Sequence, residues 1–113
     1  MGKGFQAAHR AVDTSCFPKR LTGILRDAER HFRGRVIVTS GYRSKAYNRR
    51  VGGATRSQHM ACKAADIRIP GVSKTALFRY LRRHPSAGGV GIYRGPWVHV
   101  DVRSGRKTTW DWR

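Results

Sequence analysis

Two histidines and one aspartate carry the clearest chemistry in this chain. His59 and Asp66 stand in Ser57-Gln58-His59-Met60-Ala61-Cys62-Lys63-Ala64-Ala65-Asp66, and His99 stands in Trp97-Val98-His99-Val100-Asp101-Val102. Two neutral imidazoles and one carboxylate make a ligand set that suits Zn²⁺, and a coordination position left to water separates a catalytic zinc site from a structural one. The chain has only six acidic residues. Asp66 and Asp101 differ from the rest in lying inside apolar, strand-like runs, where a carboxylate is costly unless paired or metal-bound. Alternation puts Asp66 on a face with Ala64 and Arg68, away from Ala65 and Ile67. It puts His99 and Asp101 on a face with Trp97, away from Val98, Val100 and Val102. Each strand then carries a polar stripe, as a metal site mounted on a sheet requires. The same spacing also suits an ordinary sheet histidine and an Asp66 paired with an arginine.

The elements that must position these residues follow from periodicity. Residues 1–15 have little pattern and read as an extended lead-in. Pro18 suits the first turn of a helix in which Leu21, Ile24, Leu25, Ala28 and Phe32 share one face. Gly34 is a natural stop, with His31 near the end, where it favours the helix dipole over catalysis. Val36–Thr39 is a β-branched strand, and Ser44 caps a short helix broken by Gly52-Gly53. A polar loop, residues 54–58, leads to His59. Ala64–Ile69 reads as a strand, and Ser73 caps a second amphipathic helix with Leu77, Tyr80 and Leu81 inward, ending before Pro85. Gly88–Tyr93 and Trp97–Val102 form a closing hairpin, and Trp110 and Trp112 in the tail fold back on the core. The expected architecture is α+β: one domain over residues 16–113, with a small antiparallel sheet flanked by two or three helices.

Length and composition set the outer bounds. The chain has 113 residues and 39% hydrophobic residues, enough for one modest core. No apolar run approaches a membrane span, and Met1–Ala11 has no signal-peptide core, so work outside the cytoplasm would need a signal absent from this sequence or another route. Twenty-four Lys and Arg against six acids give a formal charge of +18. Such an excess implies a polyanionic partner, for which nucleic acid, anionic lipid and bacterial cell wall all qualify. Cys16 and Cys62 allow one disulfide, although the sequence does not show that they meet. Cys62 lies close to His59, but a buried thiol or a disulfide suits it better than metal ligation.

The ordered pattern Ser-x-His-x-x-(Gly)-x-Ala-x-Asp, followed by a strand with a second histidine, resembles the zinc D-Ala-D-Ala carboxypeptidase family, which groups with lysostaphin-type and hedgehog-type metallopeptidase folds. Thr39-Ser40-Gly41-Tyr42-Arg43-Ser44, Tyr47-Asn48, Val51-Gly52-Gly53-Ala54 and Gly89-Val90-Gly91-Ile92-Tyr93 extend the resemblance over roughly residues 16–112. The nearest likeness is to the small cell-wall endopeptidase branch and its phage-borne relatives. The resemblance implies that His59, Asp66 and His99 ligate zinc and that Arg43 binds a carbonyl oxygen or carboxylate of the substrate. It also implies a peptidoglycan stem-peptide substrate, cleaved by a carboxypeptidase or an endopeptidase. The working place would then be the periplasm or cell envelope, with delivery by a phage as a further route. A basic protein of this kind would adhere to an anionic wall polymer, and a monomer is expected.

Two departures stand out. The family's usual glycine three residues after the first histidine is Cys62 here, which bears on the backbone turn at that point. Many relatives carry an acid three residues before the last histidine, where this chain has Pro96, or a histidine two before it, where this chain has Trp97. Asp101 is the remaining candidate for the general base, with orientation of His99 as its other role. His84 is the next titratable residue, but it reads as a helix end on the surface. Tyr42 and Tyr93 are candidates for the cleft wall, with packing as the alternative. Two other functions are consistent with the sequence: a basic polyanion-binding module without catalysis, and a zinc-binding pseudoenzyme of the same fold. The first lacks any helix-turn-helix, zinc-finger or RNP-type signature, so no specific nucleic acid partner is expected.

Overall fold

The computed structural model describes residues 5–54 and 57–113. Among the described residues there are six strands and three α-helices, with strands and helices alternating up to α3 and three strands closing the chain. They are β1 (Gln6–Ala7), α1 (Lys19–Phe32), β2 (Ile37–Ser40), α2 (Lys45–Arg50), β3 (Ala64–Arg68), α3 (Lys74–Arg82), β4 (Gly89–Ile92), β5 (Val98–Asp101) and β6 (Thr108–Asp111). One turn of 3-10 helix, Gln58–Ala61, precedes β3. The sheet order is β1-β2-β3-β5-β4-β6, so the fold is α+β.

The centre of the sheet is antiparallel, whereas both edges run parallel to their neighbours, β1 against β2 and β6 against β4. Neither edge strand was expected. In place of a loose lead-in, β1 bonds to β2, with Gln6 N donating to Val36 O at 2.9 Å, and Phe5 is buried in the core. The tail likewise forms a strand, bonding through Thr108 N to Gly88 O at 2.9 Å and Trp112 N to Ile92 O at 2.8 Å.

One face of the sheet makes the core. Val38, Ala65, Ile67, Val90, Ile92, Val98 and Val100 point to that side. There they meet Leu21, Ile24, Leu25 and Ala28 of α1, and Leu77, Phe78 and Leu81 of α3. The helices therefore cover the face opposite His99 and Asp66, as alternation along a strand requires. Capping follows the sequence in two helices: Ser44 Oγ accepts from Tyr47 N, and Ser73 Oγ accepts from Ala76 N, each at 3.1 Å. In α1 the left-handed residue at the C-terminus is Arg33, one position before the expected Gly34. His31, near that end, stacks on Tyr80 with ring centroids 4.4 Å apart.

Candidate metal centre

The uncovered face of the sheet carries a single row of residues across five strands. Register pairs Ser40 with Asp66, Asp66 with His99, His99 with Gly91, and Gly91 with Trp110. A register shift between Val38 and Ser40 brings Ser40 opposite Asp66, as a bulge re-aims a strand end. His59 reaches this row from the 3-10 turn, whose first N–H groups are capped by Ser57 Oγ accepting from His59 N at 3.1 Å. Asp66 Oδ1 lies 3.2 Å from His59 Nε2 and 3.1 Å from His99 Nδ1. One ligand atom from each of the three residues lies within 4.8 Å of the other two, and all three residues are buried.

The outward partners of the two rings decide what the rings offer inward. His59 Nδ1 is 2.7 Å from Gly41 O, a carbonyl that only accepts, so Nδ1 carries the proton. His99 Nε2 is 2.7 Å from Asp101 Oδ2, and there too the imidazole N–H donates. In the neutral rings, His59 Nε2 and His99 Nδ1 therefore turn lone pairs toward the Asp66 carboxylate. Two lone pairs and an anion facing one another have no donor among them. A cation between them would resolve the conflict, and a ring whose second nitrogen donates outward is the form in which a histidine would ligate a metal. His59, Asp66 and His99 thus fit Zn²⁺ by the chemistry of their donor set.

When the facing ring nitrogens are protonated they take the cation's place: burial disfavours the Asp66 carboxylate, but hydrogen bonds and charge from His59 and His99 then outweigh it and hold its pKa well below the usual carboxylate range. Burial disfavours charge on His99 as well, yet the bonds to Asp101 and Asp66 raise its pKa.

Asp101 is fully buried and lies behind His99, on the ring nitrogen that faces away from Asp66. Burial would raise its pKa, but His99 and the guanidinium and backbone N–H of Arg103 keep it well below the ordinary value. Arg103 Nη2 is 2.7 Å from Asp101 Oδ2, and Arg103 Nε is 3.0 Å from Oδ1. Alternation correctly places Asp101 on the His99 side, but a residue two positions along a strand lies beside its neighbour rather than in front of it. The geometry therefore favours orientation of His99 over the general-base role. His84, the second candidate, lies elsewhere, with its Nε2 2.7 Å from Asp27 Oδ2 of α1.

Arg43 joins the ligand set from the loop after β2. Its Nη2 donates to Asp66 Oδ2 at 3.2 Å, Nη1 to Asn48 Oδ1 at 3.1 Å, and Nε to Ser40 Oγ at 3.2 Å. Asn48 is buried and in turn donates to Ala54 O at 2.8 Å. Three hydrogen bonds thus hold the guanidinium beside Asp66 in the cleft lining.

Cys62 ends the 3-10 turn with φ 57° and ψ 34°, in the left-handed region. The turn is the one a glycine would make most easily. Cys62 forms a disulfide with Cys16, with a Cα–Cα distance of 6.0 Å. It is therefore neither a metal ligand nor a free thiol.

The three candidate ligands open into a cleft of about 620 Å³. Arg43, Gly52–Ala54, Ser57 and Gln58 line one side, and Tyr93, Trp97, Arg103, Trp110 and Trp112 line the other. Thr55 and Arg56, in the polar loop before His59, lie outside the described residues. Tyr93 lines the cleft, whereas Tyr42 is exposed beside a separate depression. Trp110 and Trp112 fold onto the cleft face rather than the core, and Trp112 stays 66% exposed. Sequence reasoning gave no role to Arg103 or Asn48 and missed the part played by Trp110. Asn48 stood in the Tyr47-Asn48 stretch of the resemblance, and Arg103 lies two residues after Asp101 on the same side.

His59, Asp66 and His99, on an open sheet face with a polar clamp behind one ring and a cleft in front, are a set that could hold a metal ion. The family model for Peptidase M15 matches residues 2–101. The chain belongs to this family of zinc-dependent peptidases. No curated protein sequence matches it.

Proposed function

We propose that this chain is a zinc peptidase that hydrolyses peptide bonds in peptidoglycan stem peptides or their cross-links. The observation that carries this reading is the convergence of two outward-donating imidazoles and a carboxylate at the floor of an open cleft. Zn²⁺ held by His59, Asp66 and His99 would polarise the scissile carbonyl and lower the pKa of a water. Arg43 offers its guanidinium to the developing oxyanion or to a terminal carboxylate, with Asn48 and Ser40 keeping the fork in place. Asp101 is a positioning residue: it fixes the tautomer of His99, and Arg103 holds it in place. Gly41 O does the same for His59.

Place and partner follow from other features. A disulfide persists in an oxidising environment, which fits the periplasm or cell envelope. Among the described residues, no helix is long and apolar enough to cross a membrane. Exposed Arg20, Arg26 and Arg30 of α1, with Arg79 and Arg82 of α3 and the adjoining Arg83, lie on the side of the sheet away from the cleft. That side suits adhesion to an anionic wall polymer while the cleft stays free.

A second reading, a zinc-binding pseudoenzyme, is favoured by one observation. Among the described residues lining the cleft, the three candidate ligands are the only carboxylates and imidazoles. The deciding experiment is digestion of purified peptidoglycan by the zinc-loaded chain, with products identified by mass. The peptidase reading expects new peptide ends and about one zinc per chain. It also expects loss of both in His59→Ala and His99→Ala. Zinc without products would establish the pseudoenzyme. Full metal content in both variants would remove the site itself.

A further inference from the structure

The strand β6 lies outside the residues matched by the peptidase family, which end at Asp101. It adds no side chain to the core, and Thr108, Thr109 and Asp111 are exposed. Ordering such a segment costs conformational entropy, which core burial does not offset here. Its placement does bring two indoles to the metal centre.

Trp110 lies opposite Gly91, and a Cβ at Gly91 would come within 2.1 Å of the indole. The missing side chain lets the ring cross β4 and reach His99, with centroids 5.3 Å apart. Trp110 Nε1 donates to Tyr93 Oη at 2.9 Å, and the Arg103 guanidinium lies 5.3 Å from the centre of the Trp110 ring. Trp112 stands beside Trp110 and Tyr93, with centroids 6.0 and 5.6 Å away, at the solvent edge of the same wall. Trp97 completes the aromatic side of the cleft.

We infer that this wall is a subsite for a pyranose ring of the glycan strand that carries the stem peptide. The inference rests on the peptidoglycan reading above. A sugar ring sets a flat C–H face against an indole while its hydroxyls stay wet, and the exposed Trp112 beside Trp110 and Tyr93 offers such a face. The wall is continuous with the metal centre through the contact of Trp110 with His99. The enzyme would accordingly prefer stem peptides still attached to glycan.

All three tryptophans of the chain line the cleft, so fluorescence excited selectively at tryptophan reports on this site. The test titrates the metal-free protein with an N-acetylglucosamine tetramer. A saturable fluorescence change is expected, weakened about tenfold or more in Trp112→Ala and largely kept in Trp112→Phe, as for loss and retention of a stacked ring. The companion measurement is the ratio of kcat/KM for a disaccharide-linked stem peptide to that for the free peptide. That ratio should fall toward one in Trp112→Ala. Sugar binding without any hydrolysis would sink the peptidase reading and leave the subsite standing. Hydrolysis with no response to the tetramer and an unchanged ratio in Trp112→Ala would overturn the subsite alone. A response to a single-stranded oligonucleotide but not to the tetramer would also overturn it, since bases stack on such rings beside arginines.

Discussion

His99 stands in the middle of β5, between Val98 and Val100 of the core, whereas His59 stands on one turn of 3-10 helix above the sheet. For His99 the backbone is fixed by strand pairing on both sides, and only the ring needs orienting. The Asp101–Arg103 pair does that from behind. For His59 the backbone itself must be held. Several devices hold it: Arg43 N donates to His59 O at 3.0 Å, Ser57 caps the turn, Gly41 O anchors the ring, and the disulfide ties the end of the turn to the segment before α1. A ligand on a strand needs a second polar partner, whereas a ligand on a loop needs a staple as well.

Breaking the staple should give the largest effect. The disulfide closes a loop with a sequence separation of 46. The chain-entropy account gives about 4 kcal/mol for a loop of that size. Cys16→Ser with Cys62→Ser should lose that much in denaturant unfolding of the metal-free protein. The loss should be uneven. Hydrogen exchange should quicken at residues 57–62 well before it quickens in β5. A change in stability under about 1 kcal/mol would show that the loop is held by its hydrogen bonds alone.

Breaking the clamp behind His99 should act on metal rather than on fold. Asp101→Asn keeps the shape but removes the charge that holds the ring. Zinc affinity should fall roughly ten- to a hundredfold, with activity returning in excess zinc. The same change at a general base would leave zinc binding intact while turnover fell on the order of a hundredfold or more. That outcome would restore the catalytic role to Asp101 in spite of its burial. Zinc titration and turnover, measured together on one variant, decide between them.

The same contrast explains what was legible in the sequence. His99, Asp66 and Asp101 lie in alternating strands, so a two-residue period assigned them to the uncovered face. Helix α1 and the Ser44 and Ser73 caps were readable for similar reasons of period and local bonding. The disulfide was not, because residues 46 apart meet only once the fold exists. Strand β1 is two residues long, and β6 puts nothing into the core, so neither has an apolar pattern to find. Asp101 shows the limit from the other side: alternation supplied its face but not whether it stands before or behind the histidine.

The smallest effect concerns the turn at Cys62, where the family pattern has glycine. A non-glycine residue in the left-handed region costs about 1–2 kcal/mol, and Cys62 sits there at φ 57°. Glycine would remove that strain but would loosen the unfolded chain, at a cost of about 0.4–1 kcal/mol. The net gain for glycine is thus on the order of 0.5–1 kcal/mol, well below the roughly 4 kcal/mol of the cross-link. A cysteine can therefore replace the glycine because the bond it forms outweighs the strain it takes on. Comparing Cys16→Ser/Cys62→Gly with Cys16→Ser/Cys62→Ser removes the disulfide from both and isolates the backbone. The glycine variant should be the more stable by that smaller amount and should hold zinc at least as tightly, since a relaxed turn leaves His59 in place. If the serine variant proves equal or more stable, the strain at residue 62 is no larger than the roughly 0.4–1 kcal/mol by which glycine loosens the unfolded chain, and the disulfide has little to offset.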